Sequence, residues 1–312
     1  MEEVLGRYVG RLAPSPTGAL HLGNVRTFMI AWLRARASGG RILLRMEDLD
    51  HPKDKPGAAA QAIEDLRWLG FDWDESYVQS ERRDFYRAAL ERLVAQGRAY
   101  PCVCSRRDVA SAQSAPHAGE QLYYPGTCRG RFASWSAAAA IRPSCWRFAV
   151  DSDSRVVFTD AFAGTFEENV AERLGDFPLS RDEAGAGYTL AVVVDDAAMG
   201  VTEVVRGDDL LAATPAQILV QRALGVPTPQ YCHVPLVVGP DGRRLAKRHG
   251  DTRVATYRAS GVSPEAIIGY LASSCGWCPV GESLRLADLI PHFNLMTIPH
   301  SPLTVSNGED LK

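Results

Sequence analysis

A short apolar run, a glycine-punctuated turn and a long helical pattern follow one another between Tyr8 and Ala37. No other stretch narrows the fold of this chain as much. Tyr8-Val-Gly-Arg-Leu-Ala13 has the length and apolar character of a buried strand, and Val25 to Ala37 carries apolar residues at helical spacing. Pro14 to Asn24 is then a strand-to-helix turn. The helix opens with N–H groups that lack helical partners and with the positive end of its dipole. Gly18 and Gly23 let backbone approach a ligand closely, and His21 can donate a hydrogen bond to a phosphate oxygen. Such a turn predicts an α/β protein that holds a nucleotide at the carboxyl end of its first strand.

The pattern repeats up to about residue 100. Gly40-Arg-Ile-Leu-Leu-Arg-Met46 is a second strand, ending in Glu47, Asp48 and Asp50, and Gly57 to Leu69 and Arg82 to Gln96 show helical spacing. Alternation of this kind predicts parallel strands joined by crossover helices. Between Pro101 and about Gly187 the character changes. Cys102, Cys104 and Cys128, a Ser/Ala/His-rich stretch over Ser111 to Gly119, and β-like runs at Trp146 to Val150 and Arg155 to Phe158 suggest an insertion. Parallel-strand signals return at Leu190 to Val194 and Thr202 to Val205, followed by a helix over Pro215 to Leu224. Leu236 to Arg243 reads as a strand and turn leading into a basic loop, and the tail from Asp251 is mainly helical. The expected division is 1–100 and 188–250 as two halves of a nucleotide-binding catalytic domain, 101–187 as an insertion, and 251–312 as a helical subdomain.

Composition excludes several classes. With 312 residues and a net charge of -3, the chain does not carry the bulk positive field of a nucleic-acid binder, so any RNA contact needs a local basic face. The Met-Glu-Glu-Val start lacks the basic and apolar regions of a signal peptide, and no run of 18 apolar residues occurs, so no membrane association is expected. Seven cysteines, an odd number, point to a reducing compartment, and the expected location is cytoplasmic.

A second segment, Arg244-Leu-Ala-Lys247-Arg248-His249-Gly250, gives the first one its meaning. Together the two resemble the HIGH and KMSKS signatures of class I aminoacyl-tRNA synthetases. Arg11-Leu-Ala-Pro-Ser-Pro-Thr-Gly18, Arg45-Met-Glu-Asp-Leu-Asp50, Val192-Val-Val-Asp-Asp196 and Val204-Val-Arg-Gly-Asp-Asp-Leu-Leu211 narrow the resemblance to the glutamyl branch. It runs from about Arg7 to about Pro302 and is similar to the shortened paralogues of that branch, the glutamyl-Q tRNA(Asp) synthetases. The resemblance implies a Rossmann-type parallel-sheet catalytic domain with a zinc-binding insertion and a C-terminal helical subdomain, without an anticodon-binding domain. It implies activation of L-glutamate by ATP with magnesium, transfer to queuosine in tRNA(Asp), and a monomer. Arg244 stands where the signature has its first lysine, and Asn24 where it has its second histidine; both keep hydrogen-bonding capacity.

Amino-acid activation asks a protein for positioning and charge stabilisation rather than covalent chemistry. By resemblance His21 contacts the α-phosphate region and Lys247 the departing pyrophosphate, and His21, Gly23, Asn24, Gly207, Asp208 and Lys247 form the ATP site. Arg11, Ser15, Glu47, Tyr188 and Arg206 match the glutamate positions. Guanidinium groups suit carboxylates and Glu47 suits the ammonium; which arginine reads the side-chain carboxylate stays open. Cys102, Cys104 and Cys128 supply three soft ligands for a tetrahedral zinc. The family pattern offers Tyr124 as the fourth, and His117 or water are the alternatives. Cys275 and Cys278 have the spacing of half a metal site but no second pair, and Cys145 and Cys232 read as packing residues. Arg106, Arg107, Arg129 and Arg131 are candidates for RNA phosphate contacts. The nearest rival is a truncated glutamyl-tRNA synthetase that charges tRNA(Glu). A non-catalytic zinc adapter and a small-molecule nucleotidyltransferase are rivals from other classes.

Overall fold

The computed structural model describes residues 8–16, 18–49, 55–111, 122–243, 245, 252–305 and 311. Asp50, His117, Arg244, Lys247, Arg248, His249 and Gly250 lie outside the described residues.

Strand β1 (Val9–Leu12) is buried at every position, as befits a strand covered on both faces. Helix α1 (Leu22–Ala37) follows and buries ten of its sixteen residues. β2 (Arg41–Met46) pairs parallel with β1, Arg11 opposite Leu43. Through α2 (Ala58–Trp68) the chain crosses to β3 (Glu75–Val78), parallel to β2, and then enters α3 (Arg83–Ala95).

The middle of the chain builds two different things. β4 (Ala99–Cys102), α4 (Arg106–Ser111), α5 (Trp135–Ala139) and β5 (Cys145–Phe148) come first, then β6 (Arg155–Asp160), β7 (Gly164–Asn169), α6 (Val170–Arg173) and β8 (Phe177–Ser180). β4, β5 and β8 form a small antiparallel sheet. The β6–β7 hairpin instead joins a second, larger sheet, where Asp160 pairs in register with Tyr231.

That sheet is completed by β9 (Glu203–Gly207) and β10 (Gln230–Val234), which run parallel on either side of α8 (Thr214–Leu224). Before them stands α7 (Tyr188–Ala198), which corrects the expectation of a strand at Leu190 to Val194. A short apolar run buried on all sides has no periodicity to separate helix from strand. Length decides here: the eleven residues bury Leu190, Ala191, Val192, Val193, Asp195 and Asp196. β11 (Val237–Val238), α9 (Val254–Ala259), α10 (Pro264–Ser273), two 3-10 segments and β12 (Leu303–Thr304) finish the fold. The helical tail is as expected except for β12, which returns to pair parallel with β11; a two-residue strand carries no periodic signal.

The strands are ordered β3–β2–β1 in one sheet and β9–β10–β6–β7 in the other. The β1 and β9 edges meet: the Thr202 amide donates to the Val9 carbonyl at 2.9 Å, and Arg11 Nη1 donates to the Val205 carbonyl at 2.7 Å. Strand order therefore runs outward in both directions from the β1/β9 junction. In an open parallel sheet that reversal opens a crevice at the carboxyl ends of the two strands. Among the described residues no helix is long and apolar enough to cross a membrane.

Candidate active site

A cleft of about 490 Å³ occupies that crevice. It is lined by Arg11, Ser15, Gly18, His21, Gly23, Asn24, Glu47, Tyr188, Arg206 and Gly207, residues drawn from widely separated stretches of the sequence. Of the described positions expected to hold ATP or glutamate, only Asp208 does not line it; its neighbour Asp209 does. Asp208 stands exposed at the start of the 3-10 segment Asp208–Ala213.

The phosphate end follows from the capping of α1. The His21 ring accepts at Nδ1 from the Gly23 amide at 3.1 Å, and Asn24 Oδ1 accepts from the His21 amide at 3.2 Å, a reciprocal capping box. With its Nδ1 lone pair committed, the neutral imidazole carries its proton on Nε2 and is a donor there. Gly23 suits this geometry, since a Cβ there would stand 3.0 Å from the His21 ring and press it out of place by a few tenths of an ångström. At Gly18 a Cβ would meet nothing within 4 Å, so the open space beside that backbone belongs to the cleft. The C-terminal tail anchors to the same turn: the Leu22 amide donates to the Thr252 carbonyl at 3.2 Å and the Val254 amide to the Leu20 carbonyl at 2.9 Å. Upstream, Val237 lines the cleft and Leu245 is buried. Both flanks of the Lys247 segment are thus fixed to the body that carries His21.

The other end is built from charges. Arg11 is buried, with its Nε 3.8 Å from Asp196 Oδ1. That Nε has no hydrogen-bond partner among the described residues. Burial and the neighbouring guanidiniums of Arg45 and Arg206 push the Arg11 pKa down, against the pull of Asp196. Arg45 is fully buried and bridges Asp196 at 2.6 Å and Glu47 at 3.0 Å. Burial raises the Glu47 pKa despite the opposing pull of Arg45 and Arg11. Arg206, the penultimate residue of β9, has Nη1 3.5 Å from the Tyr188 hydroxyl; its other nitrogens bond to His233, Thr214 and Gln217.

Arg45 and Asp196 stood in the quoted motifs without an assigned role, and His233 and Asp160 were not singled out in the sequence. For Arg45 the signal was present: it lies two residues before Glu47 along β2, so both side chains leave the same face. For His233 no local pattern distinguishes it from a buried structural histidine.

The cysteine cluster forms as expected. Cys102 ends β4, and the ligand atoms of Cys102, Cys104 and Cys128 lie within 4.8 Å of one another. Cys104 Sγ is 3.6 Å from Cys128 Sγ, close to the separation of about 3.8 Å that two sulfurs take around tetrahedral zinc with bonds of ~2.3 Å. The Tyr124 hydroxyl stands 3.2 Å from Cys102 Sγ and 3.6 Å from Cys104 Sγ, and it accepts from the Cys128 amide at 3.0 Å. Hydrogen bonds from Cys145, Tyr124, the Cys104 amide and Arg147 hold the Cys102 thiol far below its usual range, against the effect of burial. Cys145, read as a packing residue, lies opposite Cys102 across the β4–β5 pair and also touches this sulfur. Arg129 pairs with buried Asp176 and donates to the Val150 carbonyl at 2.9 Å, while its side chain stays about half exposed. Arg106, Arg107 and Arg131 are exposed.

Comparison with known proteins agrees with this geometry. The family model for the catalytic domain of class I tRNA synthetases (E and Q) matches residues 8–301. A glutamyl-Q tRNA(Asp) synthetase of Symbiobacterium thermophilum is 50% identical over 311 residues, covering 95% of each chain. A glutamate–tRNA ligase of Aquifex aeolicus is 41% identical over 308 residues, covering 97% of this chain but 64% of that protein. The crystal structure of a glutamate tRNA ligase from Elizabethkingia meningosepticum, in complex with its amino acid, superposes with a TM-score of 0.81 at 28% identity. It covers 97% of this chain and 68% of that one. With a strand-order reversal, a histidine-capped helix and a cleft of paired arginines inside the matched span, the chain belongs to the class I tRNA synthetases of the E and Q type.

Proposed function

We propose that this chain activates L-glutamate with ATP as glutamyl-adenylate and transfers the glutamyl group to queuosine in the anticodon of tRNA(Asp). The observation that carries the first half is a charge count. Two guanidiniums, Arg11 and Arg206, line the cleft with the Glu47 carboxylate, while its second lining carboxylate, Asp209, lies against Gly207 on the side read as the ATP site. Glutamate presents two carboxylates and one ammonium, the complementary set. The second half is supported by full-length similarity to proteins named glutamyl-Q tRNA(Asp) synthetase.

In this reading the glutamate carboxylate attacks the α-phosphorus of ATP and pyrophosphate leaves. His21 donates from Nε2 to the phosphate region, where the N-terminus of α1 adds its positive dipole end. Gly23, Asn24 and Gly207 complete the ATP side, and Lys247 holds the pyrophosphate as its charge grows. Ser15 and Tyr188 flank the amino acid. Glu47 fixes the α-amino end by pairing with the substrate ammonium. Magnesium enters with ATP. Cys102, Cys104, Tyr124 and Cys128 hold one structural zinc, which fastens the end of β4 to the loop at 122–128. ATP and tRNA are cytoplasmic, and so is the enzyme. We keep the divisions 1–100, 101–187, 188–250 and 251–312 as working domains, and a monomer as the working unit.

Glutamate alone is expected to drive ATP–pyrophosphate exchange, and an anticodon stem-loop of tRNA(Asp) bearing queuosine should then accept labelled glutamate while the unmodified stem-loop does not. The glutamate–tRNA ligases among the relatives are longer proteins, covered to 62–64% of their length. Exchange that requires tRNA(Glu), with glutamate found on its 3′ end, would favour their activity over the queuosine reading.

A further inference from the structure

Among the described residues, Arg206 is the one cleft-lining guanidinium whose inner nitrogens are fully engaged by the protein. Nε donates to His233 Nε2 at 3.0 Å, and Nη2 donates to both Thr214 Oγ1 at 2.8 Å and Gln217 Oε1 at 2.9 Å. Its plane lies over the Tyr231 ring, 5.3 Å from the centroid. Only Nη1 remains toward the cleft, beside the Tyr188 hydroxyl. A guanidinium has no acceptor, so His233 Nε2 must present a lone pair to it.

Behind His233 stands Asp160. His233 Nδ1 is 2.6 Å from Asp160 Oδ2, and both side chains are fully buried. Asp160 Oδ1 also accepts from the Phe162 and Ala163 amides at 3.0 and 2.8 Å, and the His233 amide donates to the same carboxylate. Burial disfavours the Asp160 charge, yet the bonds from His233 and these backbone amides outweigh it and hold its pKa down to about 2. The carboxylate is therefore an acceptor, and the ring proton must sit on Nδ1. Burial lowers the His233 pKa, which keeps the ring neutral with Nε2 open. A protonated ring, or the opposite tautomer, would put two donors face to face at Arg206 Nε.

We propose that Asp160 and His233 are positioning residues: the carboxylate sets the imidazole tautomer, and the imidazole aims Arg206 so that Nη1 meets a carboxylate of the amino-acid substrate. The proposal rests on the reading of Arg206 as a glutamate-binding residue. Asp160 lies on the hairpin contributed by the middle segment, so that segment takes part in amino-acid recognition through β6 as well as in whatever the cysteine cluster does.

The test measures glutamate KM, ATP KM and kcat in pyrophosphate exchange for His233→Leu, His233→Gln, Asp160→Asn and Arg206→Lys. His233→Leu removes the acceptor and should raise glutamate KM about tenfold or more, the scale of a hydrogen bond to a charged group, with ATP KM unchanged. His233→Gln keeps an acceptor oxygen and should recover part of the loss; a purely structural histidine would show no such rescue. Asp160→Asn should act in the same direction as His233→Leu. An unchanged glutamate KM in His233→Leu beside a raised one in Arg206→Lys would overturn the relay and leave the glutamate site standing. An unchanged KM in Arg206→Lys would sink the underlying reading instead. If the buried variants do not fold, nitrogen NMR of the unmodified enzyme decides: a neutral ring protonated on Nδ1 is expected, and a proton on Nε2 at neutral pH overturns the proposal.

Discussion

The cysteine cluster and the charged cleft are two sites built by opposite means. The cluster takes its three thiols from a span of 27 residues, Cys102 to Cys128, and the more distant groups that touch it, Cys145 and Arg147, come from the adjoining strand β5. The cleft takes Arg11 from β1, Glu47 from the end of β2, Tyr188 from α7 and Arg206 from β9, with Asp160 and His233 behind them. Local assembly makes a site that is complete once its own segment folds. Dispersed assembly makes each group depend on a buried partner elsewhere, so its weak points lie outside the residues that meet substrate.

The largest expected effect therefore falls on a residue with no assigned contact to substrate. Asp196→Ala leaves Arg45 buried without its 2.6 Å partner, and Arg11 without its nearest carboxylate. Loss of one partner from a buried ion pair costs about 3–5 kcal/mol. Chemical denaturation should register that loss, whereas Cys128→Ser in zinc-loaded protein should leave the cleft's exchange activity largely in place. A shift of under 1 kcal/mol in Asp196→Ala would mean that the cleft is as locally built as the cluster. Next in size, His21→Ala should lower the exchange rate by about 10²–10³-fold, the scale of removing one transition-state donor, without moving the melting temperature by more than a few degrees. Equal losses of rate and stability would show instead that the histidine acts mainly as the cap of α1. The smallest effect belongs to the cluster. Tyr124→Phe should weaken zinc retention only about tenfold in competition with a chromophoric chelator, because the three sulfurs remain. Purified protein without zinc, prepared in the absence of chelator, would remove the metal from that side of the comparison.

How far the sequence could be read follows the same division. The strand–turn–helix at 8–37, the crossover helices and the cysteine pattern were legible because each is written in consecutive residues with a fixed period or spacing. Leu190 to Val194 was misread since an apolar segment buried all round has no polar face to reveal its period. The cleft's contact residues could be named only where two separated motifs gave each other meaning. Their supports could not: Asp160 and His233 are 73 positions apart and meet only because β6 and β10 are neighbours, which no pattern in either strand announces. Part of the Arg45 role was within reach, through its two-residue spacing from Glu47, but the partner Asp196 lies 151 positions away.

The β1/β9 junction has a consequence for how the molecule is made. Val9 waits for Thr202, and Arg11 for the Val205 carbonyl, across 193 and 194 positions of chain. At about 5–20 residues per second, a ribosome needs roughly 10–40 s to deliver the second partner after the first. For that interval the β1 edge has no neighbour on one side, and an uncovered edge strand is a template for pairing with another chain. The buried guanidinium of Arg11 sits on that edge, and a charge held inside an open strand is one of the devices that discourages such pairing. The same arginine would then guard the nascent chain before it ever meets an amino acid.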